Sequence, residues 1–175
     1  VIRCDSKQLW GTLEMAAQFG APAAAARAHE ALFGYWAARR TADKLPGRRD
    51  LDPADIKRLL PTLSLIDVLA DPLDFRVRLA GTGLYDVYGR EITGRRLADV
   101  YNSAAADYWR VELAKVVTEA KPAVGVHCLA WRGASHLSLL WMRLPLASNG
   151  GDVDMILGYD AVIGLGHVSS GVRAA

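Results

Sequence analysis

Two cysteines in 175 residues, Cys4 and Cys128, cannot build a multi-bridge disulfide framework, so stability has to come from a buried core. Cys128 sits within an apolar run, where a buried, reduced thiol is predicted. Charge of one sign is scarce as well: 21 Lys and Arg against 19 Asp and Glu leave a net charge of +2. With the signs interleaved there is no global basic stripe, and no nucleic-acid partner is expected. No stretch approaches the roughly 20 apolar residues of a membrane-spanning helix, so no membrane partner is expected either. The N-terminus lacks the charged-then-apolar pattern of a secretion signal, which makes the cytoplasm the expected location. Internal repeats at solenoid periods are also missing.

What is present describes one folded, soluble domain. The apolar share is 51% and the mean hydropathy +0.10, far from the composition of disordered chains. The length suffices for one well-buried core and barely for two. The densest basic stretch runs from Arg39 to Arg58, where seven Lys and Arg face four Asp, a surplus of +3. It reads either as a solvated, self-paired surface or as a face for an acidic partner or a phosphate.

Residues 1–22 read as an N-terminal extension, weakly ordered or helical. Residues 23–44 form an N-terminal helical segment, with Ala28, Leu32, Tyr35 and Trp36 on one stripe and the helix itself predicted to reach Thr41. Asp52 is predicted to cap a short helix that starts at Pro53, carries Ile56, Leu59 and Leu60, and stops before Pro61. Two strands follow, 63–69 and 75–80, around the turn Asp71-Pro72-Leu73-Asp74. Thr82 is predicted to cap a small helix that Gly89 closes, and another turn of helix lies at 97–100. The strongest helical pattern spans 103–120, with Trp109, Leu113, Val116, Val117 and Ala120 on one side and Asp107, Arg110, Glu112 and Lys115 pointing elsewhere. Three strands at 123–131, 136–146 and 153–163 then form an antiparallel meander, and 164–175 is a flexible tail. The fold predicted is α+β: a five-stranded antiparallel sheet with a helical insert between strands two and three, plus the N-terminal helix.

Both faces of the meander are apolar, with Val124, Val126, Leu137, Leu139 and Trp141 assigned to one and Leu129, Trp131, Leu140, Met142 and Leu144 to the other. A sheet covered once shows a polar face, so the N-terminal helix is expected to cover the second side, within the chain or across a homodimer.

The stretch Leu45-Pro-Gly-Arg-Arg-Asp-Leu-Asp-Pro-Ala-Asp-Ile56, then Leu59-Leu60-Pro61, Arg78-Leu-Ala-Gly-Thr82 and Gly89-Arg-Glu-Ile-Thr-Gly94, resembles a bacterial family of short PAS-like proteins. The motifs span roughly residues 45–100, and the element order extends the likeness to about 163. The resemblance implies a PAS-like domain over 45–163, with sheet and helices enclosing a pocket used for sensing small molecules or for protein contacts. It carries over no catalytic residues and no defined ligand.

Candidate ligand contacts are Arg78, Tyr85, Tyr88, Trp109, His127, Met142 and Tyr159. Arg78, out of phase with Phe75, Val77 and Leu79, reads as a surface ion-pair residue or an anion clamp. Trp109, with Trp131 and Trp141, either fills the core or stacks a flat ligand. His127 and His136 lie too far apart for one metal ion in one hairpin register and within reach in the next, without a third ligand, so no metal is assigned. Because some PAS domains hold haem, either histidine is also an axial-ligand candidate, against the plainer reading of a half-buried strand histidine. His29 and His167 read as surface or tail residues. Asp154 and Asp160, out of phase with Met155, Leu157 and Tyr159, are expected in solvent. No nucleophile–base set is visible, and Gly81-Thr82-Gly83 and Gly164-Leu165-Gly166 lack the residues a phosphate loop needs.

The expectation is therefore a stand-alone, non-catalytic PAS-type sensory or interaction domain with an unidentified small molecule or signalling protein as partner and an unassigned cofactor. The alternatives are a scaffold or localisation adaptor whose core its own side chains fill, and a haem-binding sensor.

Overall fold

The structure is a computed structural model that describes residues 2–3, 23–41 and 44–164. The predicted N-terminal extension and tail lie outside the described residues, apart from Ile2, Arg3 and Gly164, all three of which are in strands.

Among the described residues, six antiparallel strands form one sheet: β1 (Ile2–Arg3), β2 (Leu63–Leu69), β3 (Asp74–Ala80), β4 (Ala123–Leu129), β5 (Ala134–Leu146) and β6 (Met155–Gly164), in the order β1-β4-β5-β6-β2-β3. Five are the predicted strands, and β1 adds two residues to the β4 edge. Because β6 pairs with β2, β3 ends up near one edge and β4 near the other. The connection from β3 to β4 must therefore cross the whole sheet. It does so as α2 (Leu84–Tyr88), α3 (Leu97–Val100) and α4 (Ser103–Glu119), laid over one face. This is the inner face. Helix α1 (Ala23–Ala37) covers part of the outer face, where Leu32 and Trp36 are buried and the Trp36 indole N–H donates to Pro145 O at 2.9 Å. The expected cover of the second face is thus supplied within the chain.

Local chemistry accounts for the element ends. The Asn102 side chain accepts from Ala105 N at 3.0 Å and caps α4, and Ala120 leaves it in the left-handed region at φ 50°. Gly89, at φ 70°, closes α2 as predicted. The start of α2 differs from expectation: Gly83 takes the cap position without a side-chain bond, and Thr82 contributes only its carbonyl, to Tyr85 N at 3.3 Å. Residues 53–60 are not an α-helix. They run as consecutive turns, with Ile56 N on Pro53 O at 3.3 Å and Leu59 N on Ile56 O at 2.8 Å, and lead into a 3-10 turn over Leu60–Thr62 that includes Pro61. These bonds span three residues rather than the four of an α-helix. Helix α1 stops at Ala37, short of Thr41, which instead bridges to Lys44.

The register corrects the face assignment of the meander. Val124 pairs with Met142, Val126 with Leu140 and His127 with Leu139. Val124 and Val126 therefore belong with Leu140 and Met142 on the outer face, while His127 and Leu129 share the inner face with Leu139 and Trp141. A 3-10 turn at Ala130–Arg132 and an irregularity after Cys128, where the partner changes from Ser138 for Cys128 to Ala134 for Leu129, set this register, and a register displaced by one residue exchanges faces. Cys128 is exposed rather than buried.

Candidate functional site

The centre of the inner face is polar, which an apolar sheet core does not lead one to expect. Arg143 on β5 lies opposite Gly158 on β6, and the missing side chain there leaves room for the guanidinium: a Cβ on Gly158 would stand 3.2 Å from Arg143 Nη1 and 2.4 Å from Ser64 Oγ. Arg143 Nη2 donates to Asp160 Oδ1 at 2.8 Å, and Nη1 donates to Met142 O at 2.9 Å and Tyr159 O at 3.1 Å. Both side chains of the pair are 2% exposed. The guanidinium carbon lies 4.7 Å from the Trp109 ring centre and 5.6 Å from that of Trp141, a cation–π arrangement that offsets part of the lost hydration. Asp160 was expected in solvent. Its phase is opposite to Met155, Leu157 and Tyr159, but with both faces covered the opposite phase points at α2–α4.

The insert is tied to this pair by hydroxyls. Tyr101 Oη donates to Tyr88 Oη at 3.0 Å, and Tyr88 Oη donates to Asp160 Oδ2 at 3.1 Å. Trp131 packs on both tyrosines, with ring centres 5.7 Å from Tyr88 and 4.9 Å from Tyr101, while Trp109 meets Trp141 edge-on at 5.3 Å. Burial, then the Asp160 charge, raises the Tyr88 hydroxyl well above its usual pKa, and the same two causes raise that of Tyr101. Burial disfavours the charged guanidinium of Arg143, but Asp160 outweighs it and the net shift is upward. Arg132, at the rim, donates to the carbonyls of Asp86, at 2.6 Å, and Val87, holding the C-terminal end of α2.

Of the seven predicted contacts, three gather here. Tyr88 and Trp109 are in the centre, and His127 is at its margin, stacked on Tyr108 at 4.1 Å and 5.7 Å from Trp109; burial lowers the His127 pKa. Met142 and Tyr159 face the other way, paired across β5 and β6 on the outer face. His29 of α1 meets the Tyr159 ring edge-on at 4.9 Å and is buried, not at the surface as predicted. Arg78 and Tyr85 are exposed, Arg78 in a 3.3 Å ion pair with Asp67. Glu112, expected to point outward, is buried and bonded to Lys115 at 2.9 Å, since it lies three residues beyond Trp109 and four before Val116 on the same stripe. The centre itself, Arg143 with Asp160 and Tyr101, was not among the predicted residues. The available signal was a lone arginine in Leu139–Leu146 facing a lone aspartate in Met155–Ile163, since a charge in an apolar strand needs a partner.

The inner face does not fit a haem. His127 is stacked against Tyr108, the buried Trp109 and Trp141 occupy the space over the sheet, and His136 is exposed. Among the described residues, no three His, Cys, Asp or Glu side chains are grouped to hold a metal ion.

An antiparallel sheet crossed on one face by an inserted run of helices defines an α+β domain of the PAS type. Residues 24–160 match the PAS domain family, and the chain belongs to it. The matched span takes in nearly all of α1, strands β2 to β5 and part of β6. Among solved structures, a domain of an HTR-like protein from Haloarcula marismortui is similar at 11% identity and a TM-score of 0.44, covering 58% of this chain and 98% of that one. The PAS domain of a Colwellia psychrerythraea protein is similar at 13% identity and 0.47, covering 63% and 96%. A LOV protein from Rhodobacter sphaeroides is similar at 15% identity and 0.47, covering 69% and 71%. No curated protein matches the chain in sequence.

Proposed function

We propose that this PAS domain is a cytoplasmic sensory and interaction module that works by binding, not by catalysis, with a signalling protein as its main partner. The observation that supports this is the enclosure of the Arg143–Asp160 pair. Its two side chains are 2% exposed, and the buried or half-buried rings of Tyr88, Tyr101, Trp109, Trp131 and Trp141 close over the inner face. Rings of this chain pack over the pair, which favours a partner protein bound at the surface.

The signal would travel through the insert. Tyr88 links α2 to Asp160 on the sheet, so a partner contact that lifts α2 breaks one buried hydrogen bond and shifts the population between a closed and an open insert. Native mass spectrometry of the protein purified from its own host tests the reading. A second polypeptide, this chain or another, bound to the chain is the expected result. A chain recovered without one, carrying a stoichiometric small molecule whose binding shifts the Trp109 and Trp141 indole signals, would replace the interaction reading with that of an enclosed-ligand sensor.

A further inference from the structure

On the outer face, α1 covers the β5–β6 side and leaves the β2–β3 side open. There a groove of about 440 Å³ runs between residues 48–61 and the sheet, a volume within the roughly 300–1,000 Å³ usual for small-molecule sites. Leu51 and Ile56 form one wall, and Leu65, Leu79 and Leu157 form the floor. Leu60 and Leu79, both lining it, are 38% and 49% exposed, so an apolar surface is left in water there.

Among the described residues, charge at the groove is of one sign: the ionisable side chains lining it are Arg48 and Lys57, both cations. Arg48 Nη1 donates to Leu51 O at 3.1 Å, which positions the guanidinium without neutralising it. The acids nearest in sequence are engaged elsewhere: Asp50 accepts from Gly47 N at 2.8 Å, Asp52 from Ala54 N at 2.8 Å, and Asp55 holds Arg39 at 2.6 Å. The basic surplus of the 39–58 stretch therefore appears at this groove as two cations beside an aliphatic trough. Among the described residues the lining contains no aromatic ring, whereas the inner face is built of them, so the groove suits an alkyl chain over a flat aromatic molecule.

We infer that this groove binds a free alkyl carboxylate, with the chain laid along Leu51, Ile56, Leu65 and Leu79 and the carboxylate between Arg48 and Lys57. The site lies across the sheet from Arg143 and Asp160, so this inference and the proposed function stand or fall separately.

The test is titration of the full chain with decanoate below its micelle concentration, followed by calorimetry and by backbone amide shifts. Saturable binding of one decanoate per chain is expected, with shifts at Leu65, Leu79 and Leu157. The double variant Arg48→Gln/Lys57→Gln should bind about tenfold more weakly, the effect of losing two half-solvated ion pairs. Decanol should show a similar loss against the wild type. Leu79→Glu, at an exposed position where folding is preserved, should abolish binding by setting a carboxylate against the ligand. Lack of saturable binding, binding unchanged in both variants, or shifts centred on Trp109 and Trp141 would overturn the inference. So would sedimentation with anionic phosphatidylglycerol vesicles in the absence of decanoate binding, which would make the groove a lipid-surface contact instead.

Discussion

Arg143 and Asp160 sit on neighbouring strands with 2.8 Å between guanidinium and carboxylate, at the centre of a core made otherwise of aliphatic and aromatic side chains. Bringing two charges out of water is costly, and their attraction offsets the cost only while both are present. Arg143→Met alone, or Asp160→Leu alone, strands a buried charge and should lower the unfolding free energy by about 3–5 kcal/mol. The double variant strands none and should recover most of that loss. Urea unfolding of the four proteins is the measurement. A double variant as unstable as the two single losses added would mean that the pair is not the element holding this part of the core.

His29 makes folding stability depend on pH. Burial, and then the charge of Arg143, lowers its pKa from 6.5 to about 4. The folded state therefore keeps His29 neutral where the unfolded state binds a proton, and stability falls as pH drops from 6.5 towards 4. The loss attributable to this residue should approach about 3 kcal/mol at the acid end. The check is a comparison of urea unfolding at pH 7 and pH 5 for the wild type and His29→Phe. The variant should show a shallower fall, and parallel curves would remove His29 as the cause.

The sequence displays the strand pattern well and the centre poorly, for definable reasons. Pro61 on one side and Asp71-Pro72 on the other bracket 63–69, so punctuation alone places β2. Gly89 does the same for the end of α2. Phase along a strand, by contrast, says only that Asp160 and Tyr159 point to opposite sides. Which side is solvent depends on what covers each face, and α1 lies more than 100 residues away in sequence, as the 109-residue separation of Trp36 and Pro145 shows. The β4–β5 register was hidden for a related reason: a 3-10 turn over Ala130–Arg132 consumes residues that a tight hairpin would have paired. The basic surplus at 39–58 was visible, but its meaning depended on which acids fold back onto it.

Two glycines should respond in opposite directions to the same substitution. Gly34 is exposed within α1, and a Cβ there meets nothing within 4 Å. Gly34→Ala should stabilise by about 0.5–1 kcal/mol, because alanine restricts the unfolded chain and favours helix. At Gly81, where β3 gives way to α2, a Cβ would come 2.0 Å from Leu60 O and 2.5 Å from Pro61 O. Those are backbone atoms, so no rotamer relieves the clash. Gly81→Ala should cost about 3 kcal/mol or more through displacement of the 60–62 turn. Melting temperatures of the two variants, measured side by side, decide it; a neutral Gly81→Ala would show that the two segments are not held in contact.

The hold of the insert on the sheet can be tested through one hydroxyl. Tyr88 is the last residue of α2, and its Oη donates to Asp160 while accepting from Tyr101. Tyr88→Phe keeps the ring against Trp131 but leaves Tyr101 without its acceptor and Asp160 with one donor fewer, at a cost of about 1–2 kcal/mol. If that bond is what couples α2 to the sheet, the loss should be local. The Gly89 amide, bonded to Tyr85 O at 2.7 Å, should exchange roughly tenfold faster, while amides between β5 and β6 keep their protection. Uniform loss across helix and sheet would mean that Tyr88 supports the whole core, and an insert with no independent opening could not relay a partner's contact in the way proposed.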